Sequence, residues 1–400
     1  MHNDGWGIEN LPYGVFNAPG GPPRVGVRYG DQVVDLTVLV KRGMLREPID
    51  GVFSQRDLNG FLACGRSAWT ATRGALQEAI SSGVPDEALR PLDEVAMLRP
   101  VRPPDYVDFY SSIEHATNLG KMFRPGGEPL MENWRWLPVG YHGRSSSVVA
   151  TETPVRRPLG QLPPKSDGGE PRFGPSRRLD FELELGFVTG DGPAMGEPLS
   201  IEEVRETIFG VVIVNDWSAR DIQKWEYQPL GPFLGKSFGT SISAWVVPLD
   251  ALEPYRVAGP RQHPAPLEYL RTEQPWGLDI ELEVALAPEG GEETVISRTN
   301  ARGLYWTMAQ QLAHATINGA RVRAGDLYAS GTISGSAPGT YGSMIELSWN
   351  GEQPIKVEGG ERTFLEDGDM VVMRGGCSGR GPVISLGDVR GTVLGAPELS

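Results

Sequence analysis

The alternation of apolar and polar positions divides this chain into short strands and a few helices. VGVRYG and QVVDL alternate with period two around Gly30-Asp31 and predict two strands joined by a turn. Trp69, Ala75, Leu76 and Ile80 recur at helical spacing, with a stop at Ser82-Gly83. Three prolines between Leu98 and Pro104 favour extended chain and mark a boundary. The stretch DYVDFYSSIEHATNLGKMF then predicts a strand through Tyr106 and Asp108, and a helix opened by the capping-box pattern Ser111-x-x-Glu114. LDFELELGFV alternates strictly, which puts Asp180, Glu182 and Glu184 on one face of a strand and Phe181, Leu183 and Leu185 on the other. A second capping-box pattern, Ser200-x-x-Glu203, opens a short helix through Val204 and Ile208 that returns the chain to an apolar strand, Phe209 to Val214. Leu304, Met308 and Leu312 predict a helix ending at Asn318-Gly319. YASGTISG, SMIELSW and MVVMRGG, set between glycine-rich turns, read as a β meander, with Glu346 on a strand.

These elements describe a mostly β, α+β protein of two domains, residues 1–97 and 98–400. Its 52 glycines and 34 prolines show no period, which suits a loop-rich β protein and excludes collagen and repeat arrays. The long irregular stretch Pro125 to Ser176 is of a kind that usually serves function. A net charge of −14 disfavours nucleic acid and anionic membranes as partners. Cys64 and Cys377 make no framework, no apolar run approaches the ~18 residues of a membrane span, and the amino terminus lacks a signal-peptide pattern; the cytoplasm is the expected location.

Candidate chemistry concentrates between Asn215 and Ser243, NDWSARDIQKWEYQPLGPFLGKSFGTSIS. Asp216 comes at a strand end, followed by Arg220, Asp221, Gln223, Lys224, Glu226, Tyr227 and Lys236. His115 falls in the first turn of its helix, where the positive end of the backbone dipole favours a neutral, basic imidazole; a lone histidine is more often structural, but Asp108 lies close by. The row Asp180, Glu182, Glu184 offers oxygen ligands to a hard cation. LDIELEV at 278–284 repeats the pattern, however, and an edge strand with solvated acids reads the same way, so pattern alone selects neither copy. Gly231 to Ser237 has three residues between its glycines where a P-loop has four, no G-x-S-x-G elbow occurs, and no histidine pair suggests zinc. One histidine, several carboxylates at strand ends and the donors Arg220, Gln223 and Lys236 suit metal-assisted hydrolysis.

The motifs DFYSSIEHATN, LPVGYHGRSSS, LDFELEL, NDWSARDIQKWEYQPLGPFLGKSFGT, ASGTISGS and SMIELSW resemble, in order and spacing, the fumarylacetoacetase family. Its members end tyrosine and phenylalanine degradation by splitting fumarylacetoacetate into fumarate and acetoacetate. The resemblance covers most of residues 100 to 390. It implies an N-terminal SH3-like β-barrel followed by a larger β-roll or β-sandwich catalytic domain. It implies calcium on Asp108, Glu182, Glu184 and Asp216, which makes the first copy of the repeated pattern the site. It also implies magnesium near Lys236 and Thr240. His115 would be the general base, oriented by Glu346; Arg220, Gln223 and Lys236 would stabilise the oxyanion and help protonate the leaving carbanion. Tyr110, Arg124, Tyr141, Gln223, Tyr227 and Thr332 match substrate-binding positions for a small diketo acid, with Arg124 suited to a carboxylate. A homodimer is expected by the same resemblance. The competing expectations are a related diketo-acid hydrolase such as an acylpyruvate hydrolase, and a calcium-binding scaffold without catalysis.

Overall fold

The computed structural model describes residues 4–166 and 168–398; the first three residues of the amino-terminal reading and the outermost ends of the two expected domains lie outside it. Arg24–Tyr29 and Gln32–Asp35 pair with Tyr29 opposite Gln32, so Gly30-Asp31 is the two-residue turn that the alternation predicts. Gly30 has φ +61, a conformation that the absence of a Cβ makes inexpensive. These strands lie in a five-stranded antiparallel sheet ordered Leu89–Pro91, Gln32–Asp35, Arg24–Tyr29, Tyr13–Asn17, Ala96–Leu98. QVVDL ends sooner than expected: the Asp35 carboxylate accepts from the Thr37 N–H and starts a helix, Leu36–Lys41. The predicted helix spans Gly65–Ser82 and stops at Gly83.

The second, larger unit is organised on an eight-stranded sheet. Its main path runs Gly140–His142, Tyr106–Phe109, Leu327–Ala329, Leu183–Thr189, Ile208–Asp216, Thr240–Ile242, Val148–Ala150. All nine residues of Ile208–Asp216 are buried, as expected for a strand covered on both faces. Val211 and Ile213 join a core shared with Leu282, Val284 and Met373 of a five-stranded C-terminal sheet. Phe209, Val212 and Val214 join a different core, shared with Tyr13, Phe61 and Trp69 of the N-terminal unit. The Phe209 ring meets those of Tyr13, Phe61 and Trp69 at centroid distances of 5.4, 5.8 and 5.2 Å.

Several local expectations are revised. SMIELSW holds a one-turn helix, Met344–Leu347, in place of a strand, because the Asp180 carboxylate accepts from the N–H groups of Met344 and Ile345 and imposes helical geometry. The cap of the histidine helix is Ser112, whose hydroxyl accepts from the His115 N–H, while Ser111 is turned inward to Gln311. LDFELELGFV is buried on both faces and is interrupted: Leu179–Asp180 and Leu183–Thr189 are strands, and Glu182 between them bridges Ser343. Ser200 does donate to the Glu203 carboxylate, but the helix that follows is only Val204–Thr207. The later helix is Met308–Thr316, opened by a Thr307–Gln310 capping box and lacking Leu304. Among the described residues, Pro125 to Ser176 contains five short strands, including Gly140–His142. No helix of the described residues is long and apolar enough to cross a membrane.

Phe209→Ala removes the ring on which the N-terminal unit packs against the central strand. We expect a loss of about 3–5 kcal/mol in a denaturant titration, read as a lower midpoint with unchanged slope.

Candidate metal centre and active site

Strands of the large sheet bring acidic side chains together at one of its ends, from the close of two strands and the start of a third. Asp108 comes from Tyr106–Phe109, Glu184 from Leu183–Thr189, Asp216 from the end of Ile208–Asp216, and Glu182 from the break that precedes Leu183. All four are buried, and one oxygen from each lies within 4.8 Å of the others. At an effective dielectric constant near 20, each such pair of full charges repels by about 3 kcal/mol, so the cluster stands only if positive charge compensates it.

Two side chains on the following stretch supply part of that charge. Lys236 Nζ donates to Glu182 and, at 2.7 Å, to Asp216 Oδ2. Arg220 Nη2 lies 2.7 Å from Glu182 Oε1, and its Nε donates to Asp180 Oδ2 at 2.6 Å. Burial alone would raise the Glu182 pKa, but Arg220 and Lys236 outweigh it and hold the carboxyl below its usual range. Burial would likewise lower the Lys236 pKa, yet Asp216 and Glu182 keep the ammonium charged. Thr240 Oγ1 and the Tyr141 hydroxyl each donate to Asp216 at 3.0 Å.

Asp108 and Glu184 are left without such partners. Burial first, then the Asp216 charge for Asp108 and the Asp108 charge for Glu184, push both carboxyls well above their usual pKa. Asp108 Oδ1 and Glu184 Oε1 are buried with no hydrogen-bond partner. Orphaned acceptors of this kind, converging in an all-oxygen cluster, fit a hard divalent cation. In the second copy of the pattern Glu281 is exposed and Glu283 pairs with Arg298 at 2.8 Å, an ordinary surface arrangement.

His115 stands beside this cluster. Its Nδ1 is 2.7 Å from Glu346 Oε2, and its Nε2 is 3.8 Å from Glu182 Oε1, too long for a direct hydrogen bond. Glu346 also accepts from Asn118, Ser334 and Ser343 at 2.9, 2.8 and 2.6 Å. Burial would raise the Glu346 pKa, but His115 and these hydroxyl and amide donors overcome it and hold it low. An ionised Glu346 can only accept, so Nδ1 carries the proton of that bond, and Nε2 is turned toward the cluster. The Tyr110 ring meets the imidazole edge-on at 5.2 Å, and burial keeps its phenol protonated.

Of the other expected residues, Gln223 accepts from Arg220 Nη1 at 3.2 Å through its amide oxygen, which leaves its NH2 free to donate. Thr332 is buried with an unpartnered hydroxyl. Arg124 ends the histidine helix and donates to the Pro129 carbonyl, and Tyr227 is exposed beyond the helix Arg220–Glu226, its hydroxyl accepting from Gln228. A cleft lined by Tyr106, Tyr141, Phe233, Lys236 and Asp216 reaches the cluster. Asn118, Ser334 and Ser343, which hold Glu346, are absent from the sequence-based expectations. Asn118 was findable three residues after His115 on the same helix face, whereas nothing local marks the serines.

The fold and this site define a family of metal-dependent hydrolases. The family model described as "Fumarylacetoacetate (FAA) hydrolase C-terminal" matches residues 106–394, and "Fumarylacetoacetase N-terminal" matches residues 9–100. The chain belongs to the fumarylacetoacetase family. It is 49% identical to the fumarylacetoacetase of Rattus norvegicus over 98% of this chain and 96% of that protein. It is 50% identical to that of Bos taurus over the same shares, and 46% identical to that of Arabidopsis thaliana, again over 98% and 96%. Among solved structures, fumarylacetoacetate hydrolase from Exiguobacterium antarcticum shares the fold with a TM-score of 0.58 at 20% identity, covering 96% of this chain and 99% of that one.

Because Asp108 and Glu184 hold their protons unusually high, a cation must displace them to bind. Calorimetric titration with calcium should therefore show affinity falling on acidification, on the order of tenfold per pH unit for each proton released. Binding indifferent to pH would contradict the site.

Proposed function

We propose that this chain hydrolyses the carbon–carbon bond of fumarylacetoacetate, giving fumarate and acetoacetate. The observation that carries this is the His115–Glu346 dyad facing four converging carboxylates, in a chain similar to fumarylacetoacetases over nearly its whole length. Asp108, Glu182, Glu184 and Asp216 would hold calcium, and a second, magnesium site would lie near Lys236 and Thr240. When bound, a divalent cation supplies Lewis-acid polarisation of a substrate carbonyl.

The chain's own groups divide the remaining work. His115 Nε2 takes a proton from water, and Glu346 stabilises the imidazolium through Nδ1. The hydroxide adds to the fumaryl carbonyl carbon, and the electron pair of its C=O bond moves onto oxygen. Arg220, the Gln223 amide and Lys236 donate toward that oxyanion. Collapse restores the carbonyl and breaks the bond to the methylene carbon between the two ketones. Its carbanion takes the proton held on His115 Nε2 and becomes the methyl group of acetoacetate, with Arg220, Gln223 and Lys236 stabilising the negative charge on the way. The new fumarate carboxyl releases the other water proton. Arg124, Tyr110, Tyr141, Tyr227 and Thr332 bind the diketo acid, Arg124 through a carboxylate. The boundary between residues 97 and 98, a cytoplasmic location and a homodimer belong to the same proposal, on the strength of the sequence resemblance.

His115→Ala should keep metal and substrate binding and lose turnover by roughly 100- to 10,000-fold, whereas Asp216→Ala should lose the metal itself. Single-turnover kinetics and metal analysis separate the two; a His115→Ala protein with parental turnover would exclude the general-base role. Turnover of fumarylacetoacetate should stop with chelator and exceed that of acylpyruvates. A preference for acylpyruvates would transfer the chain to another hydrolase of this fold.

A further inference from the structure

Asp180 is the one member of the alternating acidic row that neither faces the metal cluster nor reaches solvent, and its surroundings give it a task. Both of its oxygens are fully used. Oδ1 accepts from the N–H groups of Phe181 at 2.8 Å and Met344 at 2.7 Å; Oδ2 accepts from Arg220 Nε at 2.6 Å and the Ile345 N–H at 3.2 Å. Two separate arms of the site therefore meet on one buried carboxylate.

The first arm is the helix Met344–Leu347, which carries Glu346. Four residues cannot sustain a helix by themselves, since the first turn fixes many dihedrals for one hydrogen bond. Its own N-cap residue, Ser343, makes no capping bond to the backbone, because its hydroxyl is bonded to Glu346 instead. Asp180, distant in sequence, does the capping. The second arm is Arg220, whose Nη2 continues to Glu182 and whose Nη1 continues to the Gln223 amide.

We propose that Asp180 is a positioning residue that locks the His115–Glu346 dyad and the Arg220–Gln223 donor pair into register with each other across the reacting bond. It touches neither substrate nor metal; it acts through Glu346 and Arg220, so this inference rests on the roles given to those residues above.

Asp180→Asn keeps the shape of the side chain, yet in either amide orientation its NH2 faces N–H donors. It must abandon either Arg220 and Ile345 or Met344 and Phe181. Expected for D180N are a fall in kcat of about 10- to 100-fold, KM and divalent-ion affinity within about threefold of the parent, and a melting temperature lowered by several degrees, with the protein still fully folded at assay temperature. In a double-mutant cycle, D180N should cost much less in an E346Q background than in the parent, because the arm it positions is already disabled. Parental kcat in D180N, a loss that merely follows lost metal or lost stability, or losses that multiply in full with both E346Q and R220K would each overturn the proposal. If D180N does not fold, the R220K/E346Q cycle tests the same joint, with coupling expected and full multiplication overturning it. The two levels separate cleanly. E346Q and R220K proteins with parental turnover would remove the roles of those residues, whereas their loss of turnover beside an unaffected D180N would remove this inference alone.

Discussion

Four carboxylates buried within 4.8 Å of one another are the costliest feature of this chain, and much of the local architecture exists to hold them. Like charges at that distance, out of water, drive one another to protonate unless cations intervene. Arg220 and Lys236 meet only part of the demand. They hold Glu182 ionised, while Asp108 and Glu184 remain high in pKa with orphaned oxygens. This imbalance fits the site to a cation and separates it from a self-contained salt-bridge network. It also explains the fully buried strand Ile208–Asp216, since side chains so unfavourably placed need a rigid support.

Around that support the chemistry is split between regular and irregular backbone. Strand ends set the level at which the carboxylates meet. His115 stands in the first turn of a capped helix, Ile113–Phe123, and its hydrogen-bond partner Glu346 on a helix too short to form alone. Glu346 accepts from four side chains, His115 and Asn118 from far along the chain and Ser334 and Ser343 from close by, which fixes its orientation against the imidazole. Among the described residues the N-terminal unit contributes no group to the carboxylate cluster, yet it shares a core with Val212 and Val214, two to four residues before Asp216. Its packing is part of what keeps the central strand in place.

Elements whose determinants are local were legible. The Gly30-Asp31 turn and the stop at Gly83 follow from glycine's access to positive φ, and Leu183–Thr189 and Ile208–Asp216 follow from apolar content. Some errors came from local caps, at Asp35 and Thr307, and others where a distant group overrides local preference. SMIELSW alternates like a strand but is turned into a helix by Asp180, and the cap of the histidine helix shifted from Ser111 to Ser112 because Gln311 claims the Ser111 hydroxyl. The duplicated acidic pattern could not be resolved by periodicity, since Glu182 and Glu281, and likewise Glu184 and Glu283, occupy equivalent letters. Burial beside Lys236 in one case and a surface pairing with Arg298 in the other decide between them.

By itself the sequence determined the mostly β class, the inventory of acids, bases and amides, and, through long motifs in a fixed order, the family. Local propensity and covalent order suffice for those. The resemblance named the four carboxylates; only the tertiary structure decided how closely they converge, which of them Arg220 and Lys236 pair and which keep orphaned oxygens, and that Asp180 binds both Arg220 and the helix of Glu346. Each of these depends on distances between residues far apart in the chain and on exclusion of water, and neither is set until the sheets have packed.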